Sequence, residues 1–264
     1  MNNTIYWFSG TGNSLYVAKA LAKAMSGTEL ASMAGSVSAE AVGGEGCKVG
    51  FVFPSYYGNL PRRVRAFAQA LKVLPGTDLF AVITMGAFGQ GSVQAMESLL
   101  AERGLALRYG VGVRINGNYI LKYDPALFGA KSAGNIETKL DKADRQILQI
   151  AAEIESGRRQ LQKGFITAKT LYENISSLDS EFTVSETCTS CGLCEKICPV
   201  RNIQLANGKL TWLHHCEHCV ACISWCPAAA INCGRATKRR TRYHNPRIQA
   251  AELEYKQGEN HDAI

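Results

Sequence analysis

Eight of the ten cysteines fall in two copies of one spacing: Cys188, Cys191, Cys194 and Cys198, then Cys216, Cys219, Cys222 and Cys226. Each copy reads C-x-x-C-x-x-C-x-x-x-C-P, with Pro199 and Pro227 closing the runs. Thiolates are soft ligands that suit iron–sulfur chemistry, and a cubane needs four of them. Three cysteines at x-x intervals can wrap one side of such a cluster from a short, tightly turned loop. The fourth has to arrive from elsewhere, and a second run supplies it. Zinc sites usually present C-x-x-C pairs rather than triplets, so zinc suits this pattern poorly. A disulfide framework suits it less, because no signal peptide opens the chain and its start reads as a folded strand.

A second constellation stands near the amino terminus. The apolar run Ile5-Tyr6-Trp7-Phe8 leads into Ser9-Gly10-Thr11-Gly12-Asn13-Ser14, and Leu15, Ala18, Leu21, Ala22 and Met25 then recur at helical spacing. Strand, Gly/Ser/Thr loop and helix together make a phosphate-binding arrangement, with loop N–H groups and the helix N-terminus aimed at the anion. Neither G-x-x-x-x-G-K-S/T nor G-x-G-x-x-G is present, which excludes two familiar nucleotide loops. The loop contains no cation, which suits a flavin monophosphate held by neutral donors.

The elements that must position these residues resemble two known families. The cysteine runs resemble the bacterial two-cluster ferredoxins, in which the fourth cysteine of each run crosses to the other cluster. That resemblance implies two 4Fe–4S clusters, one on Cys188, Cys191, Cys194 and Cys226, the other on Cys216, Cys219, Cys222 and Cys198. The repeat extends to Ile203 and Ile231, each four residues after its proline, and each is expected beside a cluster. Phe8 to Ser14 (FSGTGNS) resembles the phosphate loop of the flavodoxin superfamily, which binds FMN. Two further strand–loop–helix units follow at Lys48–Pro61 and Leu79–Gly91, where that fold expects them. The resemblance assigns FMN contacts to Ser9, Thr11, Gly12, Asn13 and Ser14, then to Pro54, Tyr56, Tyr57, Gly58 and Asn59. It assigns others to Met85, Gly86, Ala87, Phe88 and Gly89, and to Asn118 and Tyr119 after a strand at 105–115.

From Thr4 to Asn232 the chain resembles the flavodoxin–ferredoxin fusion proteins of anaerobic bacteria and archaea. The implied fold is α/β: a flavodoxin-like doubly wound parallel sheet, with a small α+β two-cluster ferredoxin domain on its carboxyl-terminal side. The expected division is 1–163 for the FMN domain, 164–181 for a linker helix, 182–234 for the ferredoxin domain and 235–264 for a basic tail. One departure is a long polar helical stretch within 123–163, carrying Ile136, Leu140, Ala143, Ile147, Ile150 and Ile154. Asn207-Gly208, between apolar flanks, reads as a two-residue hairpin that brings the cysteine runs back together.

Composition narrows the function classes. With 264 residues and 46% hydrophobic content, the chain can bury a real core. No apolar run is long enough to span a bilayer, so a cytoplasmic protein is the expectation. The net charge is +7, and Arg235, Lys238, Arg239, Arg240, Arg242, Arg247 and Lys256 gather in the tail. The tail reads as solvated, partly disordered or draped on the body, and it offers a docking surface for an acidic electron carrier, ferredoxin or flavodoxin, or for a redox enzyme. Nucleic acid fits it less well, and a homodimer is open. His214, His215 and His218 around Cys216 read as solvated, Trp225 as a shield against water, and Cys47 and Cys233 as ordinary thiols.

These readings converge on an electron-transfer protein that passes electrons between two clusters and FMN and exchanges them with an external carrier. Two alternatives remain at this stage. One is an FMN-dependent reductase of a small organic substrate, for which only Asn118 and Tyr119 offer candidate proton donors. The other is a non-catalytic redox sensor.

Overall fold

The structure is a computed structural model, and it describes residues 2–35, 37–86, 89, 91–121, 133–164 and 179–255. Five strands build the central parallel sheet: β1 (Asn3–Trp7), β2 (Thr28–Ser32), β3 (Lys48–Pro54), β4 (Asp78–Met85) and β5 (Leu107–Arg114). A two-residue strand, β6 (Gln160–Leu161), extends the edge, and the order across the sheet is β2-β1-β3-β4-β5-β6. The order 2-1-3-4-5 is the flavodoxin-like doubly wound arrangement. Strands β3 and β4 are buried over nearly their whole length, as expected where helices cover both faces of a parallel sheet. A short parallel pair, Val42–Gly43 with Val73–Leu74, stands apart from the main sheet.

Helix α1 (Asn13–Ala24) packs beside α4 (Ala133–Glu155), while α2 (Arg62–Ala70) packs beside α3 (Gly91–Ala101). The apolar stripe read from the sequence of α4 faces inward, with Leu140, Ala143, Ile147, Ile150 and Ile154 buried. In this fold each strand ends at the same edge of the sheet, so the loops after β1, β3, β4 and β5 gather there. Among the described residues no helix is long and apolar enough to cross a membrane.

The cysteine-bearing region is built from β7 (Phe182–Val184), α5 (Leu193–Lys196), β8 (Ile203–Ala206), β9 (Lys209–Trp212), α6 (Ala221–Ser224) and β10 (Ile231–Cys233). Strands β8 and β9 form an antiparallel hairpin, and Asn207 (φ 50°) and Gly208 (φ 75°) make its turn. Two positive φ values at the turn match a type I′ geometry, which fits the twist of the flanking strands. Strand β10 pairs antiparallel with β7 and closes the region.

The duplication seen in the sequence is repeated in the backbone. Ser190 and Gly192 have φ of 53° and 73°, and their counterparts His218 and Val220 have 55° and 54°. Arg201 and Ala229, each three residues after a run's fourth cysteine, both have φ of 50°. Left-handed residues at matched positions are what bend each run around its centre. At Val220 a β-branched residue is held there, a conformation such residues rarely adopt.

The tail is draped rather than loose over the part described. It passes through a 3-10 turn (Ala236–Arg239) and then crosses the start of α1. Arg247 pairs there with Glu137, Asp141 and Asp144 of α4. A second 3-10 turn (Ala250–Leu253) follows, Lys19 pairs with Glu252, and Tyr255 N–H donates to Lys196 O at 3.0 Å. The expectation of a solvated basic surface holds for the exposed Arg235, Lys238 and Arg239 and needs correction for Arg240, Arg242 and Arg247. Arg240 donates to Ile120 O, Arg242 to Ile223 O and Ala229 O, and Arg247 is held by three carboxylates. The expected linker helix lies, from residue 165 to 178, outside the described residues.

Candidate functional site

The two cysteine runs enclose two cavities, and each cavity draws on both runs. One is lined by Cys188, Cys191, Cys194 and Cys226, with Ile231 beside them. The other is lined by Cys198, Cys216, Cys219 and Cys222, with Ile203 beside them. Among the described residues no three His, Cys, Asp or Glu side chains converge tightly enough to hold a single metal ion. The thiols instead stand around spaces, as ligands of a multi-atom cluster would. Backbone N–H groups donate to the fourth cysteine of each run in the same register: Asn202 to Cys198 Sγ at 3.2 Å and Ala230 to Cys226 Sγ at 3.3 Å. Such bonds favour thiolate and tune a bound cluster.

Burial opposes ionisation of these thiols in the absence of a cation. It pushes Cys194 and Cys216 up to about 12. Cys198, Cys219 and Cys222 are raised for the same first cause. A cationic iron–sulfur core offsets that cost, so the donor set fits such a group. Trp212 lines the second cavity, and its indole N–H is buried with no partner among the described residues.

A third cavity opens at the carboxyl ends of β1, β3, β4 and β5. Of the residues expected there, Ser9, Thr11, Asn13 and Ser14 line it from the first loop and Pro54 and Tyr56 from the second. Met85, Gly86 and Asn118 line it from the later loops. Gly10, Ser55, Thr84, Asn116 and Gly117 line it too, although the sequence reading did not single them out. Among the described residues no charged side chain lines this cavity, and Ser9, Thr11, Ser14 and Thr84 bring buried hydroxyls to it. Ser9 Oγ accepts from Gly12 N–H at 3.1 Å, and the Ser14 and Thr84 hydroxyls pair at 2.7 Å. A neutral, hydroxyl-rich cradle at the start of a twelve-residue helix suits a phosphate ester.

Other expected contacts face elsewhere. Gly12 (φ 90°) caps α1, and a Cβ there would meet Asn245 and Ile248 of the tail at 3.2 Å. The Asn13 amide lines the cavity edge but is held on three sides, donating to Asn116 O and accepting from Tyr243 Oη and Asn245 Nδ2. Tyr57 (φ 53°), Gly58 (φ 73°) and Asn59 form a tight turn closed by the Tyr56–Asn59 bridge, so none of these three lines the cavity. Asn59 Oδ1 accepts from Leu60 N–H and from Arg65. Gly89 is buried where a Cβ would press on Ser55 and Met85, and Ala87 and Phe88 lie outside the described residues.

The second cysteine cavity sits directly against the loops of the third. A Cβ on Gly10 would lie 2.5 Å from Cys219 O and 2.8 Å from Cys219 Cβ, so only glycine permits this approach. The Trp225 indole N–H donates to Gly10 O at 3.0 Å, and His244 stacks on its ring at 4.0 Å. Trp225 therefore joins the two regions, which goes beyond shielding. Tyr57 Oη lies 2.6 Å from Tyr119 Oη and 3.4 Å from His218 Nδ1, and burial first, then the Tyr119 hydroxyl, raises the Tyr57 phenol.

His218 is buried rather than solvated, which corrects the expectation for that residue. His214 holds to that expectation on exposure, though it bonds Asp179 at 2.9 Å. Cys233 lies 3.8 Å from Glu181, and burial with that carboxylate pushes its thiol up to about 11. Neither Cys47 nor Cys233 lines any of these three cavities.

The 4Fe-4S binding domain family matches residues 183–204, which span the first cysteine run. The chain thus joins a 4Fe–4S binding segment to a flavodoxin-like sheet. No curated protein matches the sequence. Among solved structures, a candidate flavoprotein of Bacteroides uniformis ATCC 8492 is 17% identical, with a TM-score of 0.33 over 43% of this chain and 90% of its own. One from Bacteroides eggerthii DSM 20697 is 15% identical, with a TM-score of 0.35 over 57% and 98%. A flavodoxin from the domain Archaea is 14% identical, with a TM-score of 0.32 over 59% and 99%. The fold assignment rests on the strand order rather than on these likenesses.

Proposed function

We propose that the protein is an electron-transfer iron–sulfur flavoprotein carrying two 4Fe–4S clusters and FMN, and exchanging electrons with an external carrier. Clusters take up single electrons, whereas a flavin accepts one or two, so the pair can join one-electron and two-electron partners. The first cluster belongs to Cys188, Cys191, Cys194 and Cys226, and the second to Cys198, Cys216, Cys219 and Cys222. Ser9, Thr11, Ser14 and the N–H groups that open α1 hold the FMN phosphate. Pro54, Tyr56, Met85 and Gly86 flank the ring. Gly89, Tyr57 and Tyr119 then bear on the flavin only through the loops they shape, and Ala87 and Phe88 keep the flavin contact that the resemblance gives them.

The observation that carries this reading is the contact of Gly10 with Cys219, which brings a four-cysteine cavity against the phosphate loop of the third cavity within one chain. Holding two redox sites at fixed separation replaces a diffusive encounter. The reductase alternative draws no support from its two candidate donors. Asn118 gives its amide to Thr11 Oγ1 at 2.6 Å, and Tyr119 pairs with Tyr57 outside the cavity lining.

For the external partner an acidic carrier is the reading, with Arg235, Lys238 and Arg239 as the exposed cations beside the 3-10 turn. Exchange with such a carrier is then expected to slow as ionic strength rises. Anaerobic purification with iron, sulfide and flavin quantitation tests the whole reading. About eight iron and one FMN per chain are expected. Zinc in place of iron, or clusters without flavin, would defeat it.

A further inference from the structure

We propose that Glu217 is a positioning residue that latches the second cysteine loop onto the flavin side of the molecule. It lies between Cys216 and Cys219, and its side chain is only 3% exposed. It lines the second cysteine cavity, and its carboxylate reaches from there across to the flavodoxin-like half. It accepts from Arg63 N–H at 2.7 Å and Arg62 N–H at 3.2 Å, the first two N–H groups of α2.

Helix α2 has no cap of its own, because Pro61 stands at its N-cap and offers no side-chain acceptor. A carboxylate at a helix N-terminus satisfies orphan donors and meets the positive end of the helix dipole. Here that carboxylate comes from 154 residues away in sequence. Arg62 strengthens the joint, with Nε 3.7 Å from Glu217 Oε1 and its guanidinium donating to Cys216 O. The chain just before α2 is the loop whose Pro54, Ser55 and Tyr56 line the third cavity. Glu217 therefore ties the cysteine loop to that second loop, while Cys219 and Trp225 meet the first one at Gly10.

The latch breaks the symmetry of the repeat. The position matching Glu217 in the first run is Thr189, which is exposed. A buried carboxylate is costly unless it is paired, so Glu217 disfavours any arrangement in which α2 and the cysteine loop separate. The two runs share ligand chemistry, and this one side chain assigns the second run to the interior joint.

The proposal rests on the reading that these cysteines hold a cluster beside FMN, and its test separates the two. The full chain, loaded anaerobically, is reduced by a light flash, and cluster and flavin absorbance are followed as the electron redistributes. Amide hydrogen exchange at Arg63 is measured on the same samples. In Glu217→Ala the opening equilibrium of the joint is expected to rise on the order of tenfold, the ratio set by losing a hydrogen bond to a charged group, and the redistribution to slow with it. Arg63 protection is lost while iron, sulfide and flavin contents hold. Glu217→Gln, whose one amide oxygen can accept from only one of the two N–H groups, restores part of both.

Arg62→Pro attacks the joint from the other side, removing one N–H and the guanidinium at a helix position that tolerates proline. It decides the matter on the same two readouts if Glu217→Ala does not load. Wild-type rates and protection in the loaded variants overturn the latch and leave the functional reading standing. A wild-type chain that lacks clusters or flavin overturns that reading instead.

Discussion

The two cysteine sets share one spacing and one backbone pattern, yet their settings differ. In the first set Cys191 is exposed, Cys188 and Cys226 are half-buried and only Cys194 is buried. In the second set Cys198, Cys216, Cys219 and Cys222 are all buried. The ligand residues do not cause the difference, because they are identical. The residues between them do: Thr189 and Ser190 face outward in the first run, whereas Glu217 and His218 in the second are buried and reach Arg62, Arg63 and Tyr57 of the flavodoxin-like half. The contrast suits one set for exchange with other molecules and the other for exchange within the chain. Burial and hydrogen bonding to sulfur are levers on cluster potential, so equal ligands need not give equal potentials.

The largest expected effect comes from removing one ligand of each set. Both Cys219→Ser and Cys191→Ser are expected to lower iron from about eight toward about four per chain. Only Cys219→Ser should also lower flavin retention and thermal stability, because Cys219 is in contact with Gly10 of the phosphate loop. Metal and flavin quantitation on anaerobic material reads both outcomes. Equal flavin loss in the two variants would erase the contrast.

Next in size is the joint itself. Gly10→Ala places a carbon 2.5 Å from a backbone oxygen, so the joint has to open or the loop has to shift. Overpacking of that kind costs about 1–3 kcal/mol. Gly117→Ala is the matched control, since a Cβ there meets nothing within 4 Å. Its stability change is expected to stay within about 0.5 kcal/mol. Denaturant unfolding of the pair measures the difference, and similar values would mean that the close approach at Gly10 is not a constraint. Trp225→Phe should fall between them. It keeps the ring that His244 covers but leaves Gly10 O without the indole N–H, at a cost of about 1–2 kcal/mol.

Much of this was legible in the sequence, for identifiable reasons. The cysteine runs are dense, periodic signals, and the phosphate loop sits between an apolar strand and a helical pattern that both match the structure. Strands β3 and β4 are buried on both faces, so they read as continuous apolar runs. Strand β2 escaped because Thr28–Ser32 is a polar edge with its glutamate and leucine exposed, and it has no alternation to read. The joint escaped as well. Glu217 meets Arg63 and Trp225 meets Gly10, each across more than 150 residues, and no local spacing encodes such contacts. The basic tail misled because charge counts cannot show partners. Arg247 finds its three carboxylates on α4, more than 100 positions earlier.

The smallest expected effect concerns the tail, and it tests whether the strap matters to the joint at all. Glu252 closes the strap onto α1 by accepting from Lys19, and it also accepts from Gln249 N–H at 2.9 Å. The Lys19 ammonium, then the Gln249 N–H, holds the Glu252 carboxyl below its ordinary value of 4.5. A carboxyl held lower in the folded state stabilises the fold above its unfolded value, and that contribution fades as pH falls through the folded one. The pair is partly solvated, with side chains 47% and 32% exposed, so the contribution is about a few tenths of a kcal/mol. Thermal unfolding of wild type and Glu252→Gln should therefore differ slightly at pH 7 and converge on acidification below about 4.5. Because the strap crosses Gly12 and Asn13, its release should also loosen the phosphate loop before the cysteine joint. Flavin release that tracks this acid transition, with cluster absorbance unchanged, would place the strap on the flavin side of the comparison; simultaneous loss of both would place it on the joint.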